Sequence, residues 1–276
     1  DRCNIRRAGE IMSDLFNEEI ISQATHTKWA GKTVHFARET DSTNLWGKRA
    51  WREEGAGHGE LFVAEYQSAG RGRFTRRWSA PPDSAITMSI LICPEFSPQK
   101  APMLTLVMGL SVAQAVAELG LEVGIKWPND VVVSRKKICG ILTEMTMKQD
   151  KIGCAVIGVG INVNMESFPE EMADKATSLY LESGHPFDRA QVVGLVMKHF
   201  EENYERFVQT EDLKPDYEKM LANLNQPVRV LDQNDPYEGI ARGINAGGEL
   251  LVERADGTVE EVNSGEVSVR GLYSYV

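Results

Sequence analysis

Residues 67–78 read Gln-Ser-Ala-Gly-Arg-Gly-Arg-Phe-Thr-Arg-Arg-Trp, and the fold turns on what that segment is for. Arg71, Arg73, Arg76 and Arg77 crowd into it, broken by Gly72 and Phe74 and approached through Gly70. Glycine lets a backbone come close to a ligand, and guanidinium forks suit phosphate or carboxylate, so the composition is that of an anion-binding loop. An apolar run, Leu61-Phe62-Val63-Ala64, precedes it as a buried strand, and sheet resumes at 85–92. Binding groups favour such strand-end loops. Two plainer readings stay open at this point: a solvated basic loop, or a nucleic-acid patch with Phe74 and Trp78 as stacking groups. The segment lacks the G-K-[ST] ending of a P-loop and opens no helix, so neither common nucleotide motif applies.

A second motif narrows the choice: Lys126-Trp127-Pro128-Asn129-Asp130. In this order and at roughly this separation, the pair resembles the biotin protein ligases. The resemblance runs from about Gly31 to the C-terminus and takes in Asp41-Ser42-Thr43-Asn44, Gly140-Ile-Leu-Thr-Glu144, Gly158-Val-Gly160-Ile-Asn162 and Ala176-Thr-Ser-Leu179. It implies an α+β fold: a mixed β-sheet with flanking helices, like the class II synthetases, followed by a small SH3-like β-barrel. The expected division is 1–30 as an extension with a short helix, 31–224 as the catalytic domain and 225–276 as the barrel.

Composition agrees with an ordinary globular chain of 276 residues, 42% hydrophobic and 25% charged. A formal charge of −10 argues against general nucleic-acid binding, which makes the arginine loop a patch for one ligand. Cys3, Cys93, Cys139 and Cys154 are widely spaced without a C-x-x-C, as expected of reduced thiols, and the five histidines show no metal-ligand spacing. No apolar run is expected to reach the roughly 20 residues of a membrane span, so a cytoplasmic location is the default. The leader before Met12 is set aside from the fold reading. With only about thirty residues before the catalytic part, the expected form lacks the DNA-binding domain that some relatives carry.

Along the chain, residues 17–25 read as a helix capped by Asn17, and 45–53 as a helix that Asp41, Ser42 or Thr43 can cap. Residues 102–119 form an apolar core helix opened by Pro102. In 123–127 alternation sets Lys126 opposite Val123, Ile125 and Trp127. Alone, Lys126 reads as a solvated lysine. A hairpin through 134–137 follows. Gly158 and Gly160 leave one face of a strand without side chains, which either relieves a twisted sheet or makes room for a flat ligand. Residues 165–177 read as a loop, 188–208 as an amphipathic helix capped by Asp188, and 213–224 as another helix. Short strands with turns at Gly247-Gly248, Asp256-Gly257 and Ser264-Gly265 complete the chain, without an evident catalytic constellation.

The resemblance further implies a two-step reaction: biotin and ATP give biotinyl-5′-AMP and pyrophosphate, and a lysine of a biotin carboxyl carrier protein then displaces AMP. Position by position it assigns Lys126, Arg73 and Arg71 to catalysis. The biotin head falls to Ser42, Thr43, Asn44 and Gln67, with Gly70, Gly72, Gly158 and Gly160 allowing close approach. The nucleotide falls to Arg73, Arg76, Trp78, Asn129, Lys126 and Asn162, and Mg2+ accompanies ATP without a named ligand. The competing readings are a lipoate or octanoate ligase on a related scaffold and a biotin-responsive DNA-binding regulator. Oligomeric state stays open, a homodimer included.

Overall fold

Side chains alternate across a strand, and here that period divides a seven-stranded sheet into a core face and a site face. In the computed structural model, residues 15–74, 76–232, 234–264, 268–271 and 275–276 are described. The leader with Cys3, Thr75 of the arginine segment and Gly265 of the third expected turn lie outside them. The large sheet comprises β1 (Val34–Thr40), β2 (Leu61–Gln67), β3 (Ala85–Ile92), β4 (Val123–Lys126), β5 (Asp130–Val133), β6 (Lys136–Lys148) and β7 (Lys151–Asn162), in the order β1-β2-β3-β7-β6-β5-β4. β1 and β2 run parallel and the other neighbours antiparallel.

On the core face, Leu61 and Val63, Ile86 to Ile92 at alternate positions, Ile157, Val159 and Ile161 pack under α3 (Pro102–Glu118) and α5 (Arg189–Thr210). Each such side chain contributes about 1.5–3 kcal/mol relative to exposure. α1 (Glu18–Ala24) lies against α5, with Asn17 accepting a hydrogen bond from the Ile20 amide. The opposite face has a smaller apolar cluster, Phe62, Leu91, Cys154 and Val156, covered by α2 (Thr43–Arg49) and the π-helical turn Ala50–Glu54. Beyond α2 that face turns polar and glycine-rich, and there the candidate site lies.

Three expectations need amending. Ser42 is the N-cap of α2 but its side chain makes no cap bond; the Thr43 amide instead donates to Gln67 Oε1 at 2.8 Å. The helix expected over 213–224 is α6 (Lys214–Met220), because the next backbone leaves to pair with β4: Ala222 N–H donates to Ile125 O at 2.8 Å. Finally, the segment Pro98–Glu118 does have the 21-residue length and hydropathy of a membrane span, although most of it is buried inside the fold as α3.

The 134–137 hairpin turns on Ser134 and Arg135, both at positive φ (50° and 63°), as a tight two-residue connection requires. Asp188 caps α5 as expected, accepting from the amides of Ala190 and Gln191. The small all-β unit is a five-stranded antiparallel sheet of β8 (Pro227–Leu231), β9 (Tyr237–Ile244), β10 (Leu250–Glu253), β11 (Val259–Val262) and β12 (Ser268–Gly271), in the order β11-β10-β9-β8-β12. Among the described residues no ladder joins β11 to β12. Its apolar face is continuous with the main core, and Trp127 Nε1 donates to Gly248 O at 2.9 Å.

Candidate active site

The arginine segment leaves β2 as a folded-back loop. Trp78 N–H donates to Gly70 O at 3.1 Å, Gly72 N–H to Arg76 O at 2.7 Å, and Arg71 and Arg77 pair as an isolated bridge. A Cβ on Gly70 would stand 2.2 Å from Trp78 O, so this closure needs glycine there. Arg73 reaches two separate parts of the chain: its Nη1 donates to Asn129 Oδ1 at 2.9 Å, and its Nη2 donates to the carbonyl of Ser264. Its guanidinium lies 4.7 Å from the centroid of the Phe74 ring. Burial lowers its pKa, against the pull of Asp130.

Below the loop, Ser42, Thr43 and Asn44 are buried where α2 begins. Gln67 Oε1 accepts from both the amide and the hydroxyl of Thr43, while Ser89 Oγ donates to Thr43 Oγ1 and Asn44 Oδ1, each at 2.7 Å. Asn44 Nδ2 donates to Leu142 O and to Glu144 Oε2. Glu144 also receives Lys48 at 2.9 Å and Arg71 at 3.2 Å. Burial works to raise its pKa, yet the hydrogen bonds from Lys48 and Asn44 and the charge of Arg71 prevail and hold it below the ordinary glutamate value. A cavity of about 290 Å3 opens between the loop and this network, bounded by Arg71, Arg73, Phe74, Leu142, Glu144 and Ser264.

The glycines of β7 are filled from above. A Cβ on Gly158 would meet Asn44 Oδ1 at 2.4 Å, and one on Gly160 would meet the Trp78 indole at 2.3 Å. The space that sequence left for a ligand thus holds two side chains of the site itself. The Trp78 Nε1–H is buried and makes no hydrogen bond among the described residues.

Lys126 is 6% exposed and is not one of the residues that line this cavity. Its Nζ stands 3.3 Å from the centroid of the Tyr275 ring. The Tyr275 hydroxyl donates to Asp130 Oδ2, and Lys137 Nζ lies 2.8 Å from Asp130 Oδ1. Burial pulls the Lys126 pKa down to about 8; Asp130 opposes this, and Lys137, Arg270 and Arg76 reinforce it. Asp130 is the link to the arginine loop, since its charge acts on both Lys126 and Arg73 and its neighbour Asn129 accepts the Arg73 bond.

The two motifs therefore meet at Asn129-Asp130. Arg76 is exposed but still acts electrostatically on Lys126. Asn162 stands apart from the loop's bonds, its Nδ2 donating to Thr177 O at 3.1 Å. Sequence reasoning missed Lys48, Ser89, Lys137, Glu144, Ser264 and Tyr275. Ser89, a polar residue inside an apolar strand, and Glu144, ending the Gly140–Glu144 motif, carried readable signals. Ser264 and Tyr275 reach the site only through the fold.

Comparison with known proteins matches residues 36–162 to the biotin/lipoate A/B protein ligase family and residues 224–270 to the biotin protein ligase C-terminal domain. The bifunctional ligase/repressor BirA of Bacillus spizizenii is 37% identical over 220 residues, 78% of this chain and 67% of that protein. The biotin–[acetyl-CoA-carboxylase] ligase of Mycobacterium tuberculosis is 34% identical over 219 residues, 76% of this chain and 78% of that one. Among solved structures, the biotin protein ligase from Aquifex aeolicus in complex with biotin and ATP superposes with a TM-score of 0.75 at 34% identity, covering 87% of this chain and 99% of that one.

Proposed function

This chain belongs to the biotin/lipoate A/B protein ligase family, as a biotin protein ligase, and we propose from that premise that it activates biotin as biotinyl-5′-AMP and transfers it to a lysine of a biotin carboxyl carrier protein. In the first step a biotin carboxylate oxygen attacks the α-phosphorus of ATP and pyrophosphate leaves with the electron pair. In the second the ε-amine of the carrier lysine attacks the acyl carbon, AMP leaves, and the amine gives up a proton. The catalytic unit is residues 31–224 and the C-terminal unit residues 225–276.

The first step must bring two anions together, whose repulsion in a partly dry site is on the order of several kcal/mol. The observation that carries this reading is the convergence at Asn129-Asp130 of Arg73 from one motif and Lys126 from the other. Lys126 bridges the carboxylate and the α-phosphate and offsets the charge that develops between them. Arg71 and Arg73 close over the acyl-adenylate. Thr43, Asn44 and Gln67, already locked in one hydrogen-bond network, receive the ureido head together with Ser42, with Gly70 and Gly72 letting the loop fold close and Gly158 and Gly160 making room for Asn44 and Trp78. Arg76, Asn129 and Asn162 serve the nucleotide side, and the indole N–H of Trp78, which makes no hydrogen bond among the described residues, fits an acceptor on the adenylate. Mg2+ enters with ATP as part of the substrate, held by phosphate and water.

Free thiols at Cys93, Cys139 and Cys154 and the use of ATP fit the cytoplasm. A net charge of −10 gives no basis for specific DNA binding, and a salt-dependent gel shift on this chain is expected to be negative. Calorimetric titration with biotin, with and without ATP, tests the substrate assignment. Saturable binding of biotin and none of octanoate supports it; the reverse supports a lipoate-type ligase.

A further inference from the structure

The residue proposed to bridge the substrates' two anions is covered by a side chain from the far end of the chain. Tyr275 lays its ring against the Lys126 ammonium, 3.3 Å from Nζ to centroid. Two further contacts fix that segment: the Tyr275 hydroxyl donates to Asp130, and the carbonyl of the neighbouring Val276, 4% exposed, accepts from Arg135 Nη2 at 2.7 Å. Lys126 is not one of the residues that line the cavity under the arginine loop.

We propose that Tyr275 is a displaceable cover on Lys126, which the substrate carboxylate and phosphate replace when they bind. The proposal rests on the reading of Lys126 as the bridging cation. A ring face is a weaker partner for an ammonium than a carboxylate or phosphate oxygen, which makes a charge-assisted hydrogen bond. Two anions arriving together therefore outcompete the ring, while a single weak ligand does not. Asp130 keeps its ion pair with Lys137 when the tyrosine leaves, so no buried carboxylate is stranded. With Asp130 on one side and Lys137, Arg270 and Arg76 as the like charges around it, the uncovered ammonium is left electrostatically ready for an anion. While the cover is closed, apparent substrate affinity is reduced in proportion to the fraction of open molecules.

The test is acylation of ligand-free protein by acetic anhydride at pH 8, followed residue by residue by peptide mass spectrometry. Lys219, with 73% of its side chain exposed, serves as the internal reference. With Lys219 normalising for reagent, wild-type Lys126 is expected to be protected relative to Lys126 in the variants. Tyr275→Ala should speed its labelling by about 100-fold, and Tyr275→Phe, which keeps the ring and loses the bond to Asp130, by about tenfold. In biotin-dependent pyrophosphate exchange, Tyr275→Ala should lower KM for biotin by about tenfold without lowering kcat. Equal Lys126 labelling in wild type and both variants overturns the cover. So does a fall in kcat at unchanged KM, which would make Tyr275 a positioning residue for Lys126 instead. Should the alanine variant fail to fold, the phenylalanine variant decides alone on its labelling rate. The labelling contrast needs no activity, so absent exchange in wild type would reject the ligase reading while the labelling still decides the cover.

Discussion

Lys126 is where the account is most exposed to experiment. Lys126→Ala should slow adenylate formation, read as biotin-dependent pyrophosphate release, by about 10²–10³-fold with the fold retained. Because burial holds its pKa near 8, the ammonium is lost from free enzyme as pH rises through that value, and kcat/KM for biotin should fall about tenfold per pH unit above it. Lys126→Arg, which stays charged, should remove that limb. The same shift affects stability with a definite sign. The folded pKa lies below the unfolded value, so the native state binds fewer protons between about 8 and 10.5, and stability from this group rises with pH across that window. Lys126 was legible in sequence through its motif and its place opposite an apolar face. Tyr275 was not, because no local pattern reveals which distant ring an ammonium will meet.

At the level of elements, the arginine loop and the glycine-bearing strand β7 make separate claims. Arg73 ties the loop to Asn129 and to Ser264, so Arg73→Gly should release adenylate before transfer, with labelling of bystander lysines by mass spectrometry. Labelling confined to the carrier would remove the retention role. Gly160→Ala puts a methyl into the Trp78 indole and should destabilise the fold by about 1–3 kcal/mol, measured by urea unfolding with an unchanged m-value. A neutral substitution would mean that Trp78 moves freely. Sequence showed the bare face of Gly158 and Gly160 but not its contents, because Asn44 and Trp78 arrive from other segments. It placed the core strands and α3 well, since their apolar periods are long. It overextended the helix at 213–224, where pairing with β4 overrides helical pattern.

Across the whole molecule, one buried ion pair fastens the helical layer to the sheet that carries the site. Arg189, at the start of α5 and fully buried, forks onto Glu65 of β2 at 2.7 and 3.1 Å and donates to Ala85 O of β3. Glu65→Ala removes the bidentate carboxylate from a fully buried guanidinium and should cost about 3–5 kcal/mol of stability, seen in the urea midpoint. A loss below 1 kcal/mol would show that the other partners suffice. The fold class was readable because two motifs and the strand pattern agreed. The part played by the C-terminal sheet was not, since Ser264 and Tyr275 contribute by position alone. The central claim is that cations from two separated segments let a carboxylate meet an α-phosphorus. Exchange of radioactive pyrophosphate into ATP by the purified chain tests it most directly: the account predicts exchange that requires biotin and falls by about 10²–10³-fold in Lys126→Ala, and either no exchange in wild type or equal exchange in the variant would contradict it.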